Sequence, residues 1–219
     1  MSAVPSPPSL YPVALDLRGK PCVVVGGGGV ASRKVAALVE AGAAVTVVAP
    51  EVNGKIRELA AAGCVKVREE PFMPSHIHQA FLVIAATDSP AVNGAVADAA
   101  RAGGALLNLA APGDDSESGD FATMATVRRG ELLIALTTGG AGPAVAARLR
   151  RELDAQFGPE WTPYVALLRE MRVAAKVRYD DDTTRTAALR RLAASDDVRH
   201  LLRAGDTEGA RREALICLS

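Results

Sequence analysis

Cysteine is scarce in this 219-residue chain, and the three present, Cys22, Cys64 and Cys217, are scattered and odd in number. None falls in a Cys-x-x-Cys pair, which argues against a disulfide framework and a zinc site of ordinary ligand spacing. A reducing, cytoplasmic compartment is expected. Aromatic residues make up only 4%; with alanine abundant, the composition suits helices packed closely on a sheet. Neither sign of charge is in excess, since 25 basic side chains balance 25 acidic ones. No overall field therefore recruits nucleic acid or an anionic membrane. Apolar runs stop well short of a membrane span. The first dozen residues, with Pro5, Pro7, Pro8 and Pro12, lack the basic start and apolar centre of a signal peptide. The chain reads as a soluble protein with neither nucleic acid nor membrane as partner.

What the chain does have is a regular alternation of strand and helix patterns. Strands are expected near 22–25, 45–49, 65–68, 81–86 and 105–109, with helices near 30–41, 52–62 and 90–102. Such alternation calls for a parallel sheet covered by helices on both faces. The stretch 21–34, Pro-Cys-Val-Val-Val-Gly-Gly-Gly-Gly-Val-Ala-Ser-Arg-Lys, runs from the first strand through four glycines into the first helix. Within it, Gly26-x-Gly28-x-x-Ala31 matches the dinucleotide-binding turn. Gly26 permits the tight turn, Gly28 leaves room for a pyrophosphate, and Ala31 lets the helix pack closely. The helix N-terminus then offers free N–H groups to that pyrophosphate. A glycine-rich loop without a ligand is the alternative, but the flanking strand, helix and second strand supply the context that the motif requires.

After Leu109 the pattern changes. Residues 110–120 are polar and rich in turn formers, and two strands follow at 121–127 and 131–137, joined by the turn Arg128-Arg129-Gly130. The run Thr137-Thr-Gly-Gly-Ala-Gly-Pro143 opens a helix with Pro143 in its first turn, and Val145, Leu149, Leu153 and Phe157 lie on one stripe. Helical pattern continues to the end, broken at Gly158-Pro159, residues 180–182 and 195–197, and Gly205-Asp206. Three regions are expected: a dinucleotide-binding domain over 1–120, a strand-pair and helix module over 121–156, and a helical domain over 157–219.

With these segments placed, the chain resembles the precorrin-2 dehydrogenase family, which includes the amino-terminal module of sirohaem synthases. Four stretches carry the resemblance, which extends from Tyr11 to about Lys176: Tyr11-Pro-Val-Ala-Leu-Asp-Leu17, Val25-Gly-Gly-Gly-Gly-Val-Ala-Ser-Arg-Lys34, Ala85-Ala-Thr-Asp88 with Val92-Asn93, and Thr137-Thr-Gly-Gly-Ala-Gly-Pro143. The resemblance implies an α/β fold with a Rossmann-like, doubly wound parallel sheet, a small strand-pair dimerisation module and a helical C-terminal tail. It further implies NAD-dependent oxidation of precorrin-2 to sirohydrochlorin in sirohaem biosynthesis, by a homodimer. Some relatives also insert Fe²⁺ into sirohydrochlorin. Cofactor contacts carry over to Gly29 and Val30 in the turn, to Pro50 and Glu51 after the second strand, and to Thr87 and Asp88 on the nicotinamide side. The acid that grips the ribose hydroxyls is usually found about twenty residues on; here it is Glu51, slightly late. The absence of a nearby arginine favours NAD over NADP.

The family carries an aspartate just after the strand ending Asn-Val. Here that strand ends Leu107-Asn108-Leu109-Ala110, and a gapless reading meets Ala111, which has no acid. Read backwards from Phe121, Asp114-Asp-Ser-Glu-Ser-Gly-Asp-Phe121 matches the family pattern, with Ala111-Pro112-Gly113 as an insertion. Asp114 is therefore the candidate catalytic residue and Asp115 its rival; the alternative is a solvated acidic turn, in which case the protein would bind NAD and tetrapyrrole without efficient turnover. For the carboxylate-rich substrate, the candidates are Arg128 and the Gly139-Gly140 loop, with Arg129, Arg148, Arg150 and Arg151 behind them. Each arginine could equally be a solvated surface residue. Arg33 and Lys34 could be exposed or face the pocket. His76-x-His78 lacks the convergent ligands of a metal site, and none is expected. Three readings stay open: a monofunctional dehydrogenase, a dehydrogenase with ferrochelatase activity, and a non-catalytic dinucleotide-sensing dimer.

Overall fold

Valine-rich runs make the strands. The computed structural model describes residues 10–110, 119–140 and 142–219, which fall into two compact units, one of Tyr11–Thr123 and one that includes Met124–Ser219. In the first unit, β1 (Pro21–Val25), β2 (Ala44–Val48), β3 (Val65–Arg68), β4 (Leu82–Ala85) and β5 (Leu106–Leu109) alternate with α1 (Gly29–Glu40), α2 (Gly54–Ala61) and α3 (Pro90–Gly103). All strand pairs are parallel and the order is β3-β2-β1-β4-β5. Successive strands run outward from β1 to β3, and the chain then crosses to β4 on the other side of β1. The order thus reverses between β1 and β4, the position at which doubly wound sheets open a crevice beyond their carboxyl ends.

Both faces of the sheet are buried, as crossover helices require. Val24, Val47 and Ile84 pack on one face with Val35 and Leu38 of α1 and Ile56 of α2. Val23, Val25, Val48, Val83 and Ala85 pack on the other with Val96, Ala97 and Ala100 of α3. Each valine, leucine or isoleucine among them contributes about 1.5–3 kcal/mol on removal from water, so the two layers hold the sheet rigid beneath the crevice. Cys22 belongs to this core, and burial pushes its thiol up to about 11, which leaves it protonated and unreactive at neutral pH.

The first unit's elements lie within about two residues of the expected ones, but the segment after β5 does not. Phe121 was expected in a strand; the strand β6 begins only at Ala125 (Ala125–Arg129). The chain before it is held elsewhere. The Asp120 carboxylate accepts from the Leu107 N–H at 2.9 Å, the Asp120 N–H donates to the Leu107 carbonyl at 2.8 Å, and the Asn108 amide donates to the Phe121 carbonyl at 2.8 Å. These bonds bind residues 120 and 121 to β5, and Phe121 packs against the first core layer. The hairpin turn also shifts: Arg128 and Arg129 pair with Leu133 and Leu132 of β7 (Leu132–Leu136), so the turn is Gly130-Glu131.

The second unit contains this antiparallel pair, α4 (Pro143–Gln156) and four further helices, α5 (Trp161–Arg178), α6 (Asp182–Ala194), α7 (Asp196–Arg203) and α8 (Thr207–Cys217). The helix breaks fall where glycine, proline and the Asp caps were expected; Asp181 and Asp206 accept from the N–H groups of Thr184 and Gly209. Tyr164, Met171, Leu192, Val198 and Leu218 form the core of α5–α8. Glu160, just before α5, is 6% exposed and accepts two hydrogen bonds from Arg203, the shorter 2.6 Å. That guanidinium holds the Glu160 carboxyl below the usual carboxylate range. A carboxyl whose pKa is depressed on folding stabilises above its unfolded pKa, about 4.3, and loses that stabilisation as pH falls through the lower folded value. Glu160→Gln is therefore expected to lower the melting temperature at pH 7 by roughly 5 °C. The gap to the parent should close on acidification in a calorimetric pH series.

Candidate functional site

The crevice at the switch point is a cavity of about 640 Å³, within the range of ligand pockets. Its walls come from four strand ends: the glycine turn after β1, Pro50 and Glu51 after β2, Pro71 and Phe72 after β3, and Thr87 to Ser89 after β4. Ala110, just past β5, completes the lining.

Two glycines make the turn. Gly26 has φ +129° and donates to the Val48 carbonyl at 2.9 Å; a Cβ there would lie 2.3 Å from the Ala86 carbonyl oxygen. Gly27 is tighter still, because a Cβ would sit 1.8 Å from the Glu51 carbonyl oxygen. Its own carbonyl accepts from the Asn53 N–H at 2.9 Å, so the turn and the segment after β2 are in backbone contact. Beyond them, a Cβ at Gly28 or Gly29 would meet nothing within 4 Å, and no side chain caps α1. The first N–H groups of α1 are left for a ligand, at the positive end of a twelve-residue helix.

On the β4 side, Thr87 is held by Asn93, which is 7% exposed. The Asn93 Oδ1 accepts from the Thr87 hydroxyl at 2.7 Å and from its N–H at 3.3 Å, and the Asn93 Nδ2 donates to the Thr87 carbonyl at 3.0 Å. Ser89 caps α3 through the Val92 N–H. On the β3 side, the imidazole of His76 is 4% exposed and stands within a short 3₁₀ turn over Pro74–Ile77. Its Nδ1 accepts from the Met73 N–H at 3.0 Å and its Nε2 lies 3.1 Å from Glu70. With Nδ1 accepting, the Nε2 edge of the ring faces the Glu70 carboxylate. The ring packs edge-on against Phe72, centroids 6.1 Å apart. His76 thus fixes the loop that supplies the Phe72 wall.

Eight of the nine residues expected to contact a cofactor line this one cavity: Gly26, Gly28, Gly29, Val30, Pro50, Glu51, Thr87 and Asp88. Ala31 does not. It is wholly buried in the core beneath the turn, where its small side chain brings α1 close to the sheet. Asp114 and Asp115 lie outside the described residues, although the flanking Ala110 and Asp120 are both fixed to the sheet. Arg33 and Lys34 are not in the lining; Lys34 donates to the Thr123 hydroxyl, and burial together with Arg33 draws its pKa down. In the second unit, Arg128 is an exposed residue of β6. Arg129 is engaged by Asp154 at 3.0 Å and Arg148 by Glu152 at 3.3 Å. The Gly139-Gly140 loop is shaped by hydroxyls: Thr137 accepts from the Gly139 N–H and Thr138 from the Gly142 N–H. Among the described residues, no cluster of His, Cys, Asp and Glu could hold a metal ion, and no helix is long and apolar enough to cross a membrane.

From the sequence, Gly27 and Phe72 have no assigned role, His76 figures only with His78 as a weak metal pattern, and Asn93 only among the residues that carry the resemblance. The Asn93 position was open to discovery, four residues past a serine cap and next to the strand end. Nothing in the sequence marks Gly27, whose close approach to Glu51 is set by the fold. Asn93→Ala leaves the half-buried Thr87 N–H and carbonyl without their side-chain partner, and is expected to weaken dinucleotide binding roughly tenfold, measured by calorimetric titration. His76→Ala should raise the dinucleotide Kd by a smaller factor, because Phe72 loses its support while the phosphate turn stays intact.

Comparison with known proteins agrees with this geometry. The NAD(P)-binding family model matches residues 13–125, and the sirohaem biosynthesis protein central model matches residues 129–156. A siroheme synthase of Methylobacillus flagellatus is 38% identical over 168 residues, 77% of this chain and 35% of that protein. The chain thus spans about a third of the length of that relative. A precorrin-2 dehydrogenase of Priestia megaterium is 34% identical over 164 residues, 75% of this chain and 79% of that protein. The solved structure of SirC, a precorrin-2 dehydrogenase, superposes with a TM-score of 0.76 at 30% identity, over 95% of this chain and 98% of that one. The Rossmann-like α/β sheet, the strand pair and the C-terminal helices are shared, and the chain belongs to the precorrin-2 dehydrogenase family that includes the amino-terminal module of sirohaem synthases.

Proposed function

We propose that this chain is an NAD-dependent dehydrogenase that oxidises precorrin-2 to sirohydrochlorin in sirohaem biosynthesis. The observation that carries the reading is the dinucleotide cavity itself, in a chain 34% identical to a precorrin-2 dehydrogenase over 79% of that protein's length. The site fits the cofactor. The glycine turn has open space above Gly28 and Gly29, and the uncapped α1 N-terminus suits a pyrophosphate. NAD rather than NADP is supported by the lining, where Glu51 stands after β2 and no lysine or arginine is present among the described residues. A 2′-phosphate would meet a carboxylate there without a compensating cation.

Bound NAD supplies the hydride acceptor. The chain's own residues orient the tetrapyrrole and handle the accompanying proton. Thr87 and Asp88, held by Asn93, form the wall on the β4 side, which we assign to the nicotinamide. Asp114, with Asp115 as rival, is our candidate for the proton or for holding the reacting edge. Ala110, the last described residue before that segment, lines the cavity, which supports the assignment. Arg128 and the Gly139-Gly140 loop are our candidates for the substrate's carboxylates, through charge-assisted hydrogen bonds and free backbone amides. We further assign self-association to the strand pair and α4. That helix buries none of its residues, and Leu133 of β7 and Val145 of α4 are exposed, which supports a homodimer formed across this face. Three free cysteines suit a cytoplasmic setting.

The siroheme synthase relatives support a second reading, in which the chain also inserts Fe²⁺, as substrate, into sirohydrochlorin. Anaerobic incubation with precorrin-2 should yield sirohydrochlorin and NADH only with NAD⁺, and Asp114→Ala should reduce the rate by about 10²-fold or more. Added Fe²⁺ tests the second activity through the sirohaem absorption. Absence of product from a protein that binds NAD⁺ would overturn the dehydrogenase and leave a dinucleotide-sensing dimer.

A further inference from the structure

The helical unit contains a second concavity, a cleft of about 340 Å³ between α5 and α6. It shares no lining residue with the dinucleotide cavity. Arg172 and Lys176 stand one turn apart on α5, and Arg185 and Arg190 face them from α6. Asp182 is the one carboxylate of the lining, and Arg185 is engaged by it and by the Tyr179 carbonyl at 3.4 Å. Arg172, Lys176 and Arg190 form no hydrogen bond or ion pair among the described residues.

Four other arginines of the unit are paired with carboxylates. Arg169 pairs with Glu131, Arg199 with Asp196, Arg203 with Glu160 and Arg211 with Glu170. Like charges at i,i+4 repel, and here two such cations meet a third across a concave wall. The arrangement is unfavourable without an anion and well suited to one that brings several oxygens at once. Leu189 and Ala193 line the same cleft; their apolar surface does nothing for a bare inorganic ion but can cover a hydrocarbon skeleton.

We propose that the α5–α6 cleft is a binding site for a small organic polycarboxylate. Arg172, Lys176 and Arg190 hold its carboxylates, and Leu189 and Ala193 cover the carbon chain that joins them. Phosphate shares the oxyanion chemistry, so the two sources are separated directly. Propane-1,2,3-tricarboxylate and inorganic phosphate are titrated calorimetrically into the full chain at matched ionic strength, because screening weakens any non-specific attraction equally. The tricarboxylate should bind saturably at one site per chain and more tightly than phosphate. The double variant R172Q/K176Q should weaken it at least about tenfold, the loss expected when charged hydrogen bonds are removed, whereas the exposed control R212Q should not. All three positions are exposed, and unchanged circular dichroism verifies that the variants fold. Non-saturable heats, an unchanged affinity in R172Q/K176Q, or phosphate binding as tightly as the tricarboxylate would overturn the proposal.

Discussion

The functional half of the molecule depends on the missing side chain of Gly27. At that residue the backbone leaving β1 meets the backbone leaving β2, with the space for a Cβ already filled by the Glu51 carbonyl. The contact is sealed by the hydrogen bond from Asn53 to the Gly27 carbonyl, and Asn53 in turn caps α2 through the Ile56 N–H at 3.1 Å. One close approach therefore sets three things together: the exit of the first strand, the start of α2 and the position of Glu51 at the cavity wall. The uncapped N-terminus of α1 leaves the same turn, so that helix start and the Glu51 wall are parts of a single backbone construction.

Around that construction the walls are built by different means. On the β4 side a buried amide, Asn93, satisfies three polar groups of Thr87, so the strand end keeps its shape without help from a ligand. On the β3 side a buried imidazole ties the loop to Glu70 and supports Phe72. The second unit is organised on other lines, by an aliphatic and aromatic core with ion pairs around it. Its strand pair and α4 keep apolar residues such as Leu133 and Val145 exposed.

Much of this was legible in the sequence, for reasons that are local. Val23 to Val25 followed by four glycines is a strand that has to turn, and its alternation with helix patterns left a parallel sheet as the economical arrangement. The helix breaks were equally plain, because Gly158-Pro159, Asp181 and Asp206 act through their own backbone or their nearest N–H groups. What escaped depends on side-chain contacts that composition does not announce. Phe121 has the composition of a strand residue, but Asp120 and Asn108 tie its segment to β5 and the strand starts four residues later. His76 offered a weak metal pattern with His78 and serves as a loop clasp. Its partners Glu70, Phe72 and Met73 are all close in sequence, and it is the short turn over Pro74–Ile77 that folds the ring back on them.

The central claim is that the glycine turn builds a dinucleotide site, and titration of NAD⁺ into the parent chain and into Gly27→Ala tests it most directly. Saturable binding by the parent, weakened at least about tenfold in a folded Gly27→Ala protein because the Glu51 segment is forced away, is the predicted result. Equal affinity in the two proteins, or no binding by the parent, would contradict the account.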